Sequence, residues 1–435
     1  MTALIPKLTE DIGPSANLSR STNNPGSSIA KRSGQILILG NDARTVLPVA
    51  RSLGRQGLKV QLNWFDNNPL LKCSRFISIC HTDVLDAQHP AETLARLLAC
   101  VEQNSIETIL PTSDAACIFL HQSRSKIPLH IHLGMSDSAA CETVFNKNLT
   151  AELARALSIA IPAQEIVNNP QELDLLANQF SGQVALKPLC SSDGNSSKQF
   201  ATLYPDLKSC QKNWPEKLAG PLQLQEYFEG EAQGIVFLAS SGNLMVAMQH
   251  RRLHETSGHG STYRESIPLN QELLSATKKI LKELNYTGVG MCEFRVNPEN
   301  GKWVLLEING RFWGSLPLAI NAGLDFPYYY WQLLVGETPD VPECYQHGVR
   351  CRNLRQDLRW MWRQGIGKHS DPYGTNGWKM NSVSRFELFS HALRLLTLQD
   401  HLDYYSRDDL RPFLQEIKAV LSAPCRRLKK KFSNW

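Results

Sequence analysis

The chain has 435 residues, a hydrophobic content of 42%, a charged content of 20% and a formal net charge of +5. That length exceeds one ordinary hydrophobic core, so two or three domains are expected. So modest a charge, with no RNP-like, zinc-finger or long basic-aromatic stretch, argues against a nucleic-acid partner. The 11 cysteines are scattered without a C-x-x-C pair, which points to reduced thiols in a cytoplasmic protein rather than to disulfides or zinc. No apolar run reaches the ~18–20 residues that cross a bilayer.

Residues 1–33 are rich in Ser, Asn, Pro and Gly and lack the apolar core of a secretory signal, so they read as a disordered leader. From residue 34, "GQILILGNDARTVLPVARSLGRQGLKVQLNWF" reads strand, glycine turn, helix, strand. Ile36 to Leu39 form a buried strand of parallel type, Gly40 permits a tight turn, and Val46, Leu47, Ala50 and Leu53 line one helix face. A helix around "AETLARLLACVEQN" and the strand "ETILPTS" repeat the pattern, giving an α/β Rossmann-like domain over 34–135. The turn "GNDART" lacks G-x-G-x-x-G, and no acidic residue takes the ribose role, so an NAD site is not expected. Asp114, past the end of a strand, is either a ligand contact or a helix N-cap.

Residues 136–340 change pattern. A helix carrying Lys147 leads through Pro162 into short strands, which read as an antiparallel α+β domain with a small lobe over about 141–224 and a large lobe over about 225–340. Residues 341–435 read as a helical C-terminal region with a basic tail. No internal repeat is evident.

The chemistry is concentrated in the second domain. In "WVLLEINGRFWGS" (303–315), an apolar strand ends by presenting Glu307, Asn309 and Arg311 at every second position, and such positions share one face of an extended chain. Glu293 in "MCEFRV" lies on the neighbouring apolar strand across an Asn-Pro-Glu-Asn-Gly turn, so a hairpin would bring the two carboxylates together. Hard oxygen ligands of this kind suit Mg²⁺ bound together with substrate phosphates. The alternative, glutamates facing water from an edge strand, fits poorly with the Leu, Ile and Val around them. Upstream, Lys187 precedes the Ser/Asp/Gly loop "CSSDGNSSK", where small residues let backbone N–H groups approach phosphate oxygens. The order is not that of a Walker loop.

Lys147, Lys187 with its loop, "LQEYFEGE", Glu293 and the Glu307/Asn309/Arg311 strand together resemble the ATP-grasp superfamily over about residues 35–340. "QHRRLHE", "STYRES" and "INGRFWGSLPLAINAGLDFPY" resemble its carboxylate–amine ligase-like (carbamoyl-phosphate-synthase-like) branch. The resemblance implies ATP and a pair of Mg²⁺ ions as cofactors, with small-molecule carboxylate and amine substrates. Lys147 and Lys187 would contact phosphates beneath a flap over 191–197 that includes Ser191, Ser192 and Gly194. Gln225, Glu226, Tyr227 and Phe228 would form the adenine hinge, and Glu231 would reach the ribose. Glu293, Glu307 and Asn309 would hold the metals. Arg311, with Lys187, would act on the transferring phosphoryl group. The implied reaction forms an acyl phosphate and then an amide, releasing ADP and phosphate.

Other features carry weaker readings. In "HETSGH" the histidines are one residue too far apart for H-E-x-x-H, so zinc is not expected. Arg251, Arg252 and Arg264 are either substrate contacts or solvated loop arginines, and Cys190 is a packing residue rather than a nucleophile. "CRNLRQDLRWMWRQ" places Arg352, Arg355, Arg359 and Arg363 on one helical face. Such a helix lies on an anionic membrane or packs on its own protein, and packing is the favoured reading. The composition leaves a homo-oligomer open. Rival functions are carboxyphosphate or carbamoyl-phosphate chemistry, and a non-catalytic ATP sensor; the second would have lost a metal ligand or phosphate lysine, and neither is lost here.

Overall fold

The computed structural model describes residues 34–189, 201–215, 220–256, 260–365 and 384–432, with the backbone alone at 256, 365 and 423–432. The leader 1–33, Cys190, the flap over 191–197 with Ser191, Ser192 and Gly194, and His259 lie outside the described residues.

The first domain is a parallel sheet of five strands: β1 (Gln35–Leu39), β2 (Lys59–Asn63), β3 (Ile77–Cys80), β4 (Thr108–Pro111) and β5 (His132–Leu133), in the order β3-β2-β1-β4-β5. Ile36 to Leu39 are fully enclosed, as a strand covered on both faces requires. The chain leaves β1 through Gly40 (φ 150°), where a Cβ would lie 2.2 Å from the Thr112 hydroxyl after β4. Asp42 then caps the helix Ala43–Arg55 by accepting from the Arg44 N–H. The turns after β1 and β4 therefore sit side by side at the carboxyl edge of the sheet, where open α/β sheets present ligand contacts.

A four-stranded antiparallel sheet follows: β6 (Gln164–Val167), β7 (Val184–Pro188), β8 (Thr202–Tyr204) and β9 (Leu222–Glu226), in the order β6-β9-β7-β8. It encloses its own small core around Val184, Leu186, Leu222 and Leu224. Residues 227–230 cross to the largest sheet, made of β10 (Glu231–Ser240), β11 (Asn243–Thr256), β12 (Gly260–Ile267), β13 (Gly288–Val296), β14 (Trp303–Asn309), β15 (Arg350–Arg352) and β16 (His401–Leu402). Its order is β14-β13-β10-β11-β12-β15-β16, antiparallel except for the last pair.

The region expected to be helical beyond residue 341 also contributes β15 and β16 to this sheet. Arg352, placed by periodicity on an amphipathic helix, is instead a fully buried strand residue paired with Asp357 and Asp400. The helix itself spans Leu354–Gly365 and turns Asp357 and Trp360 inward. It packs on its own protein. Among the described residues no helix is long and apolar enough to cross a membrane.

The first domain does not stand apart. Val46, Leu47, Ala50 and Leu53 of the helix Ala43–Arg55 share one apolar core with Val236 of β10, Met248 of β11, Leu316, Leu318 and Phe326. That seam brings the turns after β1 and β4 against the chain that follows β14. Gly40→Ala should therefore lower stability by about 1–3 kcal/mol, read from the midpoint of denaturant unfolding. Gly182→Ala, whose Cβ meets nothing within 4 Å, should change it little.

Candidate active site

Strands β13 and β14 form the expected hairpin, with Glu293 directly opposite Glu307 and Met291 opposite Asn309. The register shifts immediately after Glu293, because Phe294 pairs with Leu305 and leaves Leu306 as an extra residue. Around the bulge, Glu293 and Glu307 both line a cleft of about 340 Å³ between the three sheets.

Two lysines reach this cleft from the small lobe side. Lys147 opens the helix Lys147–Ala156, capped by Asn146, and donates to the Pro188 carbonyl at 3.1 Å. Lys187 on β7 donates to Gln225 Oε1 at 2.6 Å, and Gln225 in turn donates to Gln164 at 3.0 Å. Enclosure pushes Lys187 down to about 8, helped by Lys147 and opposed by Glu307 and Glu293. Enclosure raises Glu307 as well, but Lys147 and Lys187 outweigh it and hold that carboxyl below its ordinary range. Glu293 goes the other way: burial raises it, and the neighbouring Glu307 adds to the rise against the opposing Arg252.

The arginines are not free. Arg252 meets Glu293 at 2.5 Å and Glu255 at 2.9 Å, and Arg295 meets the same Glu255 oxygen at 3.0 Å. Arg311 lies past the end of β14. Its Nε and Nη2 donate to the two oxygens of Asp114 at 2.5 and 2.9 Å, and its Nη1 donates to the Phe312 carbonyl at 3.0 Å. Asn309 bridges the set, donating to Glu307 at 3.0 Å and accepting from Arg311 at 3.3 Å.

Several expectations are revised by these contacts. Asp114 is the first residue of its helix, which Ser113 caps, and it braces Arg311. Arg264, read as either a substrate contact or a solvated loop arginine, is not solvated: it borders the cleft with a fully buried guanidinium committed to Asp403 and the Ser261 carbonyl. Arg252 holds Glu293 and Glu255, and Arg251 turns to Glu265. Glu231 begins β10 and is not among the residues lining the cleft, whereas Gln225, Glu226, Tyr227 and Phe228 are. His254 of the "HETSGH" stretch is buried against Asp357, His391 and the Trp360 ring.

The cleft also contains residues that sequence reasoning passed over. Asp42 and Arg44 enter from the turn after β1, and His250, Glu255, Arg295, Trp313 and Ser315 from the large sheet and the segment after β14. Arg295 had a signal, since it lies two residues beyond Glu293 on the same strand face. His250 had none. Burial pushes its imidazole down to about 3, with Arg252 and Arg264 adding to the effect, so it stays neutral beside the Ser315 hydroxyl at 3.0 Å.

The donor set suits a divalent cation. Glu293 and Glu307 offer hard carboxylate oxygens, Asn309 offers an amide oxygen, and a cation between the glutamates would offset both the burial and the Glu307 repulsion that raise Glu293. Lys147 and Lys187 line the same cleft.

Comparisons with known proteins bear on the fold. Residues 219–356 match the family described as ATP-grasp in the biosynthetic pathway with Ter operon. The fold is similar to N5-carboxyaminoimidazole synthetase from Staphylococcus aureus, with TM-score 0.60, 14% identity, and coverage of 83% of this chain and 98% of that one. It is also similar to the biotin carboxylase domain dimer of Hydrogenobacter thermophilus 2-oxoglutarate carboxylase, a complex with MgADP, ADP and bicarbonate (TM-score 0.58, 16% identity, 73% of each chain). A third is L-amino acid ligase from Bacillus licheniformis (TM-score 0.55, 14% identity, 71% of this chain and 75% of that one). No curated protein matches in sequence.

The depressed Lys187 would make the binding of a phosphate beside it pH-linked. Phosphate oxygens would raise its pKa from about 8, so near pH 8.5 binding of MgATP should take up protons. Titration calorimetry in buffers of differing ionisation enthalpy should show that uptake in the native protein and lose it in Lys187→Met.

Proposed function

We propose that the chain is a member of the ATP-grasp superfamily, whose family model it matches over residues 219–356, and that it is an ATP- and Mg²⁺-dependent ligase joining a carboxylate to an amine through an acyl phosphate. The observation that carries this reading is one cleft lined by two register-paired glutamates, two lysines and an arginine braced by Asp114. Glu293, Glu307 and Asn309 would hold Mg²⁺, which supplies charge neutralisation for the phosphates when bound. Lys147 and Lys187 orient those phosphates. Gln225 to Phe228, at the crossing between the two antiparallel sheets, are the nucleotide hinge.

In the first step a carboxylate oxygen of the acid attacks the γ-phosphorus and the bond to ADP breaks. In the second, the amine nitrogen attacks the acyl carbon, phosphate leaves, and the nitrogen loses a proton. Arg311 is held in one orientation by Asp114 and the Phe312 carbonyl, so its charge is preorganised for the oxygens that gain charge in both steps. No nucleophilic side chain is needed. Enclosure between the lobes protects the acyl phosphate from water. An ADP-release screen should pair bicarbonate, amino acids and larger acids with amine pools and identify the product by mass.

Two outcomes are expected once a substrate pair turns over. Glu307→Gln should abolish Mg²⁺-dependent turnover while the melting temperature stays close to native; near-native turnover would remove the metal assignment. With acid, ATP and Mg²⁺, hydroxylamine should trap the activated acyl group as a hydroxamate. Arg311→Met paired with Asp114→Asn, which avoids an unpartnered carboxylate, should cut that yield by about 10²–10³-fold with little change in ATP affinity. A parallel loss of ATP binding would make Arg311 a scaffold residue.

A further inference from the structure

Residues 400–409 (DHLDYYSRDD) supply none of the groups that line the cleft, yet buried ion pairs tie this segment to both of its walls. On the side of the large sheet, Asp403 pairs with Arg264 of β12, the two side chains being at most 1% exposed. The Asp403 N–H donates to the Arg352 carbonyl at 3.0 Å. Asp400 accepts from Arg352, from the Tyr263 hydroxyl at 2.9 Å and from Arg394 at 2.9 Å. On the side of the first domain, Asp409 accepts from Arg51 Nε at 2.9 Å, from the Ser74 hydroxyl at 2.7 Å and from the Arg75 N–H at 3.0 Å. Arg51 also donates to the carbonyls of Tyr404 and Asp409 at 2.9 and 3.1 Å.

Both anchored arginines lead to the cleft. Arg264 borders it directly. Arg51 shares the helix Ala43–Arg55 with Arg44, which lies about two turns nearer the N-terminus. Arg44 also borders the cleft, gripped by Asp42 at 3.1 and 2.8 Å and lying over Gly314, where a Cβ would come within 3.2 Å of its Cζ. The apolar core shared by the two domains holds them together, but apolar contact is non-directional and permits small slips. Charge-assisted hydrogen bonds fix direction, and a buried charge deprived of its partner is strongly disfavoured, so the pairs resist slipping.

We propose that the segment Asp400–Asp409 is a strap that sets the substrate specificity of the cleft: anchoring Arg51 and Arg264 together, it fixes the spacing between the wall carrying Arg44 and the wall carrying Arg264. Asp403 and Asp409 are its positioning residues. The role in specificity rests on the ligase reading, to which it adds that the part of the cleft bounded by Arg44, Ser315 and Arg264 receives the amine. The spacing itself does not depend on that reading.

Hydrogen exchange on the full chain tests the strap without a known substrate. Asp403→Asn and Asp409→Asn preserve shape, and one Asp403 oxygen has no hydrogen-bond partner to lose. In each variant, amides of 41–47 and of 260–266 should exchange about tenfold faster, while those of the β13–β14 hairpin change by less than about twofold. The affinity for AMP-PNP with Mg²⁺ should likewise stay within about twofold of native. Faster exchange confined to 400–409, or spread through the whole chain, overturns the proposal. Failure of the native protein to bind AMP-PNP would sink the ligase reading, while the exchange pattern still decides the strap. With an acid–amine pair that turns over, Asp403→Asn should raise KM for the amine about tenfold and leave KM for ATP within about twofold. Equal rises in both would reduce Asp403 to a scaffold residue.

Discussion

Two carboxylates face each other across adjacent strands, and much of the site answers that one constraint. Glu293 and Glu307 occupy opposed positions in a hairpin whose other strand residues, Arg295 and Asn309 apart, are apolar. Like charges directly opposite in a sheet repel, and enclosing a carboxylate costs several kcal/mol unless cations and hydrogen bonds compensate. The fold compensates from several directions. Arg252 on β11 reaches Glu293, Lys147 and Lys187 act on Glu307 from the small lobe side, and Asn309 donates to Glu307 from its own strand. Burial, with the repulsion of Glu307 added, still leaves Glu293 raised. A site balanced in this way would accept a divalent cation, because the ion would complete a neutralisation that the side chains leave partial.

The same logic explains why the cleft lies where three layers meet. Each sheet has apolar faces to cover, and the first domain and the large sheet cover theirs in one shared core. The small lobe closes its own core and joins the large sheet in sequence through residues 227–230. Polar groups at the ends of β1, β4, β7, β9 and β14 are thereby gathered around a common space. Arg311 shows the consequence most clearly: its partner Asp114 is 197 positions away in sequence, yet the two meet in a bidentate pair because the shared core brings the β4 turn against the end of β14.

The C-terminal residues are part of this construction. β15 and β16 extend the large sheet, and Arg352, Asp357 and Asp400 form an ion-paired cluster with no exposed side chain. Replacing one member would strand the others in a medium that tolerates unpaired charge poorly. Such clusters favour a single register over alternatives of similar apolar content, consistent with a region that contacts both larger domains.

Local chemistry made much of this legible from the amino-acid order. Apolar runs with period two and helices with a 3.6-residue stripe marked β1, the helix Ala43–Arg55, β13 and β14, because buried faces impose those periods directly. The Glu293–Glu307 juxtaposition was readable too, since a short turn between two apolar strands leaves little choice of register. Periodicity failed at Arg352, where an arginine beside a helical pattern belongs to a strand: a residue's partner, here Asp357 and Asp400, decides whether its charge can be buried. It also gave no sign of Arg44, His250 or the Asp403–Arg264 pair, whose members stand far apart in the chain. The sequence by itself determined which segments bury an apolar face and which side chains could carry charge into a shared space. Only the tertiary structure decided which opposite charges meet, because ion pairing depends on a few ångströms of separation set by the packing of whole domains.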